Sequence, residues 1–521
     1  MEKKKKSSSK QTSSKKNIAE KVEVVKDEPV VTNVKEAKTV TKEVKTKSHD
    51  HSLFKVLAIL VLITVVLTWI IPSGYFNGAD YVESDIIRIG INELFISFFY
   101  GANYYLIQIA FVLMVGAFYG IVSHLPSYKA LIEKLTNFWR GKEKAFVLVH
   151  TLIIALYVSI ATQSFPILLF VPMVITIANK LGFSKFNSLM ITFGAMIAGM
   201  AGATFSTYGA DYIVDNMDTT YMSGIAYRFG ILAITYILVN VLIFSNMNKK
   251  KEAVIEEDVF AAEATKTGKA WKSVVLFGII FVIMILGFIP WNEVFGIEVF
   301  DNFHKWLTTD VTIHIGDKDH AIFKYLLGNT VAFGSWDIYT MGYVALIILL
   351  VVKFTAKIKL NDCIEYMYEG AKKMLKPALY IMFAYAMFVI CYTSGFTTYI
   401  IDWLSSVGKT VTDATTTYVF NPFTNALANA ISQILHVDFG YTGFVASSMY
   451  AARFPEYTTT IMTIMIAMNG FVSFFAPTSV ILLVGLSMYN VSYKEWLKYI
   501  WKFVLILLIV LLALFALMTF I

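Results

Sequence analysis

The sequence predicts an all-α, polytopic membrane protein with about 10–12 membrane segments in two repeats, each with a re-entrant hairpin and a discontinuous helix. Three observations predict this class. The 521 residues are 57% hydrophobic and 16% charged, with a mean hydropathy of +0.63, outside soluble globular usage. Apolar stretches alternate with basic loops. Two of these stretches, at 199–211 and 468–486, are interrupted at matching places late in each half.

Composition divides the chain into four parts. Residues 1–50 form a Lys-rich tail that also carries Ser, Thr and Glu, and we expect this tail to be disordered and cytoplasmic because it lacks apolar content. Residues 51–246 form a first transmembrane repeat, 247–269 a charged cytoplasmic linker, and 270–521 a second repeat. The net charge of +7 does not indicate nucleic acid, since lysines of the tail can lie against anionic lipid.

The first apolar run, 53–72, is too long for a signal-peptide core and is predicted to be a retained span. Lysines before it place the N-terminus in the cytoplasm, as expected for a multi-pass protein of the cell membrane. The acidic segment 73–100 is predicted to be an outer loop. A span near 103–123 then returns to the inside, and 126–140 is predicted to be an amphipathic helix on the cytoplasmic surface.

Two apolar arms at 145–179 surround the polar sequence ATQSFP. Lysines flank both ends, so the segment is expected to enter and leave on the cytoplasmic side. A re-entrant hairpin with Thr162, Gln163 and Ser164 at its tip fits this pattern. Two ordinary short spans joined on the outside are the alternative.

The rest of the first half crosses outward at 188–211 and returns at 224–246. The second half follows the same order, and Pro72 and Pro290 end the first span of each half. Its predicted elements are a span at 338–353, an amphipathic segment at 357–376, an apolar stretch at 377–404 interrupted at 391–398, a hairpin at 420–450 and a final span at 497–520.

The turn of the second hairpin carries candidate binding residues. Asp438 follows His436 by two residues, and a carboxylate at membrane depth is a functional candidate by default. It could bind a cation, carry a proton or pair with a cationic solute. If the turn lies at the outer surface, Asp438 is only a solvated turn residue. The other candidates in this turn are Gly440, Thr442 and Gly443.

The second interruption supplies the parts of an ion or carboxylate site. Pro477 cannot continue the helical ladder, and Thr478 and Ser479 offer hydroxyls at the start of a new half-helix. Asn469 lies in the turn before the break, and Asp438 and Thr478 are possible cation contacts. A proline kink in a scaffold helix is the alternative. A matching cluster in the first half favours the site, namely Ala203, Thr204, Phe205 and Ser206.

Other ionisable and aromatic residues lie near predicted span ends. His150, Arg228 and Asp402 are expected to snorkel towards the interface. Tryptophans in the same positions are expected to be interfacial anchors, and these are Trp69, Trp291, Trp496 and Trp501.

No enzymatic or nucleotide-binding motif occurs in the sequence, so we expect a transporter rather than an enzyme or an ATP-driven pump. We expect a secondary active transporter of a small carboxylate-bearing solute, with a coupling ion, Na⁺ or H⁺, as its only cofactor. The expected partners are the solute and the lipid bilayer, with a homodimer left open. A channel and a transport-incompetent sensor or scaffold are the alternatives.

Two stretches also carry a family resemblance. ATQSFPILLFVPMVITIANKLGFSKFNSLMITFGAMIAGMAGATF and FFAPTSVILLVGLSMYNVSYKEWLKYIWKF resemble the YfcC-type proteins of the anaerobic C4-dicarboxylate carrier family. Relatives in that family are named as basic amino acid or arginine/ornithine antiporters. The family in turn resembles a superfamily of inverted-repeat, hairpin-containing ion transporters. The resemblance therefore implies inverted repeats, whereas the loop charges alone suggest parallel ones.

The resemblance also implies a site built from four loops. These are the tip at 162–164, the break at 203–206, the turn at 438–443 and the break at 477–479. Two departures affect the expected substrate. ATQSFP replaces an acidic stretch found in many relatives, and TFSTYG replaces an Asn-Pro-Phe-like element. Dicarboxylate specificity therefore does not follow from the resemblance.

Overall fold

Apolar helices long enough to cross a bilayer make up much of the structure. The computed structural model describes residues 52–247, 260, 268–412 and 415–520. Within these ranges seven helices have the length and composition of a membrane span, and a helix pair bent by 63° makes an eighth if it counts as one span. The all-α, polytopic class predicted from the sequence is thus confirmed. The predicted tail at 1–50, and all of the linker at 247–269 except residues 247, 260 and 268–269, lie outside the described residues.

Residues 52–247 form ten α-helices and one β-hairpin. A 3₁₀ turn at Phe165–Leu169 precedes α6, and a π-helical turn at Met190–Gly194 joins α7 to α8. The elements are α1 Ser52–Ile70, β1 Ser73–Asn77, β2 Asp80–Ser84, α2 Ile91–Tyr104, α3 Leu106–Val122, α4 Pro126–Trp139, α5 Glu143–Ile160, α6 Val171–Lys180, α7 Lys185–Leu189, α8 Ala195–Ala201, α9 Asp211–Met217 and α10 Ile225–Met247.

The described residues after the linker form twelve α-helices and two short β-hairpins. Strands pair only with their sequence neighbours, as in the first half. The elements are α11 Trp271–Phe288, α12 Val299–Lys305, β3 Ile313–Ile315, β4 Lys318–His320, α13 Ile322–Leu327, α14 Ile338–Thr355, α15 Leu360–Lys373, α16 Leu375–Ser394, α17 Phe396–Ser405, β5 Thr410–Thr412, β6 Thr415–Thr417, α18 Pro422–His436, α19 Phe439–Arg453, α20 Thr458–Ser473, α21 Val480–Met488 and α22 Tyr493–Phe520.

The segment predicted as an outer loop at 73–100 is more ordered than expected. It folds into the β1–β2 hairpin and most of α2, and Tyr105 separates α2 from α3 at the 63° bend. The Glu93 side chain accepts the Gly90 N–H at 3.1 Å, which caps the start of α2. The span predicted at 103–123 is therefore only the second arm of a bent pair. The prediction was wrong here because the acidic residues mark the hairpin and the cap rather than a continuous loop.

The predicted interruptions and amphipathic segments are confirmed. α8 ends at Ala201 and α20 at Ser473, within the two predicted breaks. Gly395 takes a left-handed conformation, with φ of 64°, between α16 and α17. The surface segments predicted at 126–140 and 357–376 form α4 and α15.

Within the described residues, helices of both predicted repeats share one apolar core. α8 packs on α5, α10 and α20, and α9 packs on α19. The two broken helices cross where a Cβ on Gly470 would lie 2.2 Å from the backbone of Ala201. Small residues allow such close backbone contact between helices. The crossing therefore depends on glycine at position 470.

We predict that Gly470→Ala lowers the free energy of unfolding by about 1–3 kcal/mol, because the added methyl group overpacks the α8–α20 crossing. Gly342→Ala on α14 is the control, since a Cβ there meets nothing within 4 Å. Thermal unfolding of the purified protein in detergent measures both. Equal midpoints for the two variants would contradict the close crossing.

Candidate functional site

The first break is held by one residue of the preceding long helix. Three successive amides, those of residues 204–206, donate to the carbonyl oxygen of Ser159 at 2.8, 3.1 and 3.2 Å. The Ser159 hydroxyl donates to the Gly202 carbonyl at 2.9 Å and lies 2.8 Å from the Thr204 hydroxyl. Because lipid offers no hydrogen bonds, a break inside an apolar core needs such internal partners. Ser159 supplies them, although nothing in the sequence marked it as part of the site.

Arg228 on α10 stabilises the same break from the other side. Its Nη1 donates to the Ala203 carbonyl at 2.9 Å and its Nη2 to the Tyr221 carbonyl. The side chain is only 1% exposed, so the expectation that Arg228 snorkels to the interface is wrong. No carboxylate within the described residues forms an ion pair with it. The Ala203 carbonyl, freed where α8 ends, and the Tyr221 carbonyl before α10 take the place of a counter-ion.

The two other residues expected to snorkel behave differently. Asp402 forms an ion pair with Arg453, with Nη2 and Oδ1 2.5 Å apart. Arg453 also donates to the Ala79 carbonyl at 2.7 Å, so it ties α19 to the β1–β2 turn and α17. His150 is half-buried, and its Nδ1 lies 2.8 Å from the Phe146 carbonyl. Specific partners thus hold both side chains.

The tip of the first predicted hairpin contacts the second half. The Thr162 N–H donates to the Phe288 carbonyl at 2.7 Å and its hydroxyl to the Trp336 carbonyl at 3.4 Å. The Gln163 Oε1 atom is buried without a hydrogen-bond partner. The arms on either side are unequal, since α5 has 18 residues and α6 has 10. They pack on different partners, α5 on α8 and α6 on α4.

The second hairpin turns at Val437 and Asp438, as predicted. Val437 has a φ of 66°, a strained conformation for a β-branched residue. The Asp438 carboxylate caps α19 by accepting the Tyr441 N–H at 2.8 Å, and the Tyr105 side chain lies beside it. The Tyr105 ring stacks on Tyr385 with centroids 3.1 Å apart. Asp438 is therefore a bonded, partly buried residue and not a solvated turn residue.

Hydroxyl groups surround His436 at the end of α18. Its Nδ1 lies 2.9 Å from the Ser432 hydroxyl and 3.3 Å from that of Thr442, and its Nε2 lies 2.8 Å from that of Thr397. His436 and Thr442 are both 0% exposed. These bonds join α18, α19 and α17. Thr442, a predicted site residue, thus packs into the hairpin.

The first break and the second hairpin meet through glycines. Gly209 has a φ of 66°, and a Cβ on it would lie 2.8 Å from the Gly440 nitrogen. A Cβ on Gly443 would lie 3.5 Å from the Gly209 carbonyl. Glycine permits both the positive φ and the close backbone contact. Gly440 and Gly443 therefore join the two loops by close backbone packing.

The second break is held by residues of the last helix, α22. The Trp496 indole donates to the Phe474 carbonyl at 2.8 Å, and the Tyr493 hydroxyl donates to the Phe475 carbonyl at 2.5 Å. Trp496 is 0% exposed, so its prediction as an interfacial anchor is wrong. Both side chains lie on α22 and satisfy carbonyls that the break frees.

Two hydroxyl groups form the remaining side-chain hydrogen bonds at the second break. The Thr478 hydroxyl donates to the Ile434 carbonyl at 3.0 Å, and Ser479 caps α21 by accepting the Leu482 N–H at 3.4 Å. Pro477 lies in the turn between the half-helices and is partly buried.

Two cavities lie beside these loops. The first has a volume of about 20 Å³ and lies between both halves, and the second has a volume of about 10 Å³ and lies beside the second break. Asn469 on α20 lines both. The first cavity is lined by Val158, Ser164, Met200, Ala203, Ser206, Tyr208, Phe439, Ile466 and Asn469. The second is lined by Gln433, Val437, Asn469, Val472, Ser473, Ala476, Thr478 and Ser479.

The structure places the predicted site residues in two groups. Those that line a cavity are Ser164, Ala203, Ser206, Asn469, Thr478 and Ser479. The other predicted residues do not line either cavity and lie in the neighbouring loops and helix ends. These are Thr162, Gln163, Thr204, Phe205, Asp438, Gly440, Thr442, Gly443 and Pro477. Among them, Phe205 packs its ring against Phe229 and Phe295.

Broken helices from both halves that meet beside a cavity in a multi-span fold define a membrane transporter. The sequence profile of the C4-dicarboxylate anaerobic carrier family, DcuC, matches residues 51–520. The chain belongs to this family. None of the curated proteins compared with the chain matches it.

Two solved transporters are similar to the chain over most of its length. The YdaH transporter of Alcanivorax borkumensis shares 14% identity at a TM-score of 0.40, over 90% of this chain and 98% of that one. MtrF of Neisseria gonorrhoeae, described within a class of antimetabolite efflux pumps, shares 14% identity at a TM-score of 0.38, over 90% of this chain and 95% of that one.

We predict that Trp496→Phe lowers the free energy of unfolding by about 1–3 kcal/mol, because the buried Phe474 carbonyl loses its donor. Trp501→Phe is the matched control, as Trp501 lies on the same helix and is 56% exposed. Thermal unfolding in detergent compares the two variants. If Trp501→Phe proved the more destabilising change, the assignment of Trp496 to the second break would be wrong.

Proposed function

We propose that the protein is a secondary active transporter, a symporter or an exchanger, that moves a small carboxylate-bearing solute across the cytoplasmic membrane. A C4-dicarboxylate or an amino acid is the solute class, and Na⁺ or H⁺ is the coupling ion. The N-terminus lies in the cytoplasm in this proposal, since lysines precede α1. Membership in a family of C4-dicarboxylate carriers supports the solute class.

The observation that carries the proposal is the cavity shared by the two halves. Residues of the first break, the second hairpin and α20 line the same small cavity of about 20 Å³. Small-molecule sites usually measure about 300–1,000 Å³, so a solute could enter only after the two halves move apart. A site at the meeting of two halves suits alternating access, in which one half moves against the other.

The start of α21 is the best place for a carboxylate. The first turn of a helix leaves N–H groups without intrahelical acceptors and carries a partial positive charge. Thr478 and Ser479 precede this turn and line the second cavity. Among the described residues, no charged side chain lines either cavity. Backbone dipoles, hydroxyls and the Asn469 amide are therefore the groups that would receive an anionic solute.

Asp438 and Thr478 remain the proposed contacts of the coupling ion. Both lie near the C-terminal end of α18, since Asp438 follows the helix and Thr478 donates to the Ile434 carbonyl. The Asp438 carboxylate already accepts the Tyr441 N–H, which orients it. A carboxylate oriented in this way could take up a proton or contribute an oxygen ligand to Na⁺.

We predict that Thr478→Val and Ser479→Ala each lower uptake by tenfold or more. The Ser479 hydroxyl accepts the Leu482 N–H and keeps its hydrogen for an anionic solute, and losing a hydrogen bond to a charged ligand costs about 1.5–3 kcal/mol. Thr478→Val removes the hydroxyl oxygen that is the proposed contact of the coupling ion. Radiolabelled succinate, aspartate and arginine are tested in proteoliposomes, with an imposed Na⁺ or pH gradient. Thr355→Val is the control, since Thr355 is exposed at the end of α14.

Three results would overturn the proposal or part of it. Unchanged uptake in both variants would refute the site. Large unitary currents without exchange of labelled solute would show a channel. If the wild-type protein neither moved nor exchanged any of the three solutes, the proposed solute class would be wrong.

A further inference from the structure

A stripe of buried amides runs along α18, outside the loops described above. Asn425, Asn429 and Gln433 follow one another at four-residue spacing, which places them on one face of the helix. They are 2%, 1% and 5% exposed. Side chains of this type are seldom so deeply buried without hydrogen-bond partners. The stripe therefore needs an explanation beyond helix packing.

The amides leave polar atoms unsatisfied. The Asn429 Nδ2 donates to the Asn425 carbonyl at 2.9 Å and to its Oδ1 at 3.1 Å. The Asn425 Nδ2, the Asn429 Oδ1 and the Gln433 Nε2 have no hydrogen-bond partner. The hydroxyl of Tyr450, on the antiparallel helix α19, is buried beside the Asn429 amide without a well-formed hydrogen bond. Exchanging the oxygen and nitrogen positions of any one amide would not provide a partner for all four groups, since three of them are donors.

The stripe connects two polar regions. Gln433 lines the second cavity together with Thr478 and Ser479. Near the other end, Tyr450 lies one helical turn before Arg453, which pairs with Asp402. Eight residues of helix separate Asn425 from Gln433, a distance of about 12 Å. Helices pack around α18 on several sides, and these are α16, α17, α19, α20 and α22.

We propose that this stripe is a hydrated passage, in which a chain of water molecules links the second cavity to the Arg453–Asp402 end of α18. Bound water satisfies buried polar groups that protein cannot, and each such molecule makes about three hydrogen bonds. The passage would admit the coupling ion of the transporter, and this role rests on the proposed function. The hydration of the passage is independent of that function.

A neutral lining suits this role. Amide and hydroxyl groups can exchange hydrogen bonds with water and contact a small cation without holding it as a carboxylate would. The competing explanation is that the amides serve only to join helices. That explanation predicts a dry stripe and a loss of stability when the amide is removed.

Thiol labelling distinguishes the two. Asn425→Cys, Asn429→Cys and Gln433→Cys are made one at a time after Cys363 and Cys391 are replaced by serine. Each full-length variant, in membranes, is treated with trimethylammonium-ethyl methanethiosulfonate. Because the thiolate forms in water and not in an apolar core, we expect labelling roughly tenfold faster or more than at the control Ala428→Cys. Ala428 neighbours Asn429 and is 0% exposed.

A stability measurement protects the test against misfolded variants. Asn429→Leu removes an amide whose protein hydrogen bonds lie within α18 itself, so we expect its thermal midpoint to stay close to that of the wild type. A clear fall in midpoint, or labelling at all three amide positions as slow as at Ala428→Cys, would overturn the proposal. Neither readout depends on uptake, so failure of the solute assignment would leave the hydration result standing.

Discussion

The structure depends on one constraint: backbone groups freed inside an apolar core must find partners within the protein. Both helix breaks meet this constraint with side chains and carbonyls from other helices. Ser159 on α5 accepts three amides of the first break, and Arg228 on α10 donates to one of its carbonyls. Trp496 and Tyr493 on α22 donate to carbonyls of the second break. An unpaired buried polar group would cost about 1–3 kcal/mol, so these contacts fix where the chain can leave the helical path.

Each break is consequently attached to its own set of neighbours. The first break is hydrogen-bonded to α5 and α10, and the second break to α18 and α22. Where the two sets touch, the contacts are backbone against backbone, at Gly470 with Ala201 and at Gly209 with Gly440. Side chains also meet beside these points, where the rings of Tyr212 and Phe444 lie 5.3 Å apart. The glycines thus let the two sets of helices approach closely while neighbouring side chains pack between them.

Hydropathy and composition were enough to predict the class, both breaks, the second hairpin turn and the amphipathic helices α4 and α15. These features leave a local mark, such as a Gly- or Pro-rich interruption or a periodic pattern of charge. The partners of the breaks leave none. Ser159 lies 45 residues from Thr204, and Trp496 lies 22 residues from Phe474. Trp496 and Arg228 resemble interfacial residues in sequence because both stand near the end of an apolar run, and only the packing of α22 and α10 shows that they face inward.

The charges around the cavities bear on the neutral sequence ATQSFP in the first predicted hairpin. The family resemblance implies an acidic stretch at this place in many relatives. Among the described residues, both cavities are lined by neutral groups, and the buried cations lie outside them: Arg228 is bonded to carbonyls and Arg453 to Asp402. A carboxylate in the first hairpin would add a negative charge near Ser164, beside the cavity that the two halves share. Its absence lowers the electrostatic cost of placing an anionic solute there, since like charges at close range repel strongly in a low dielectric. The neutral sequence of the first hairpin therefore agrees with the proposal that backbone dipoles and hydroxyls receive an anionic solute.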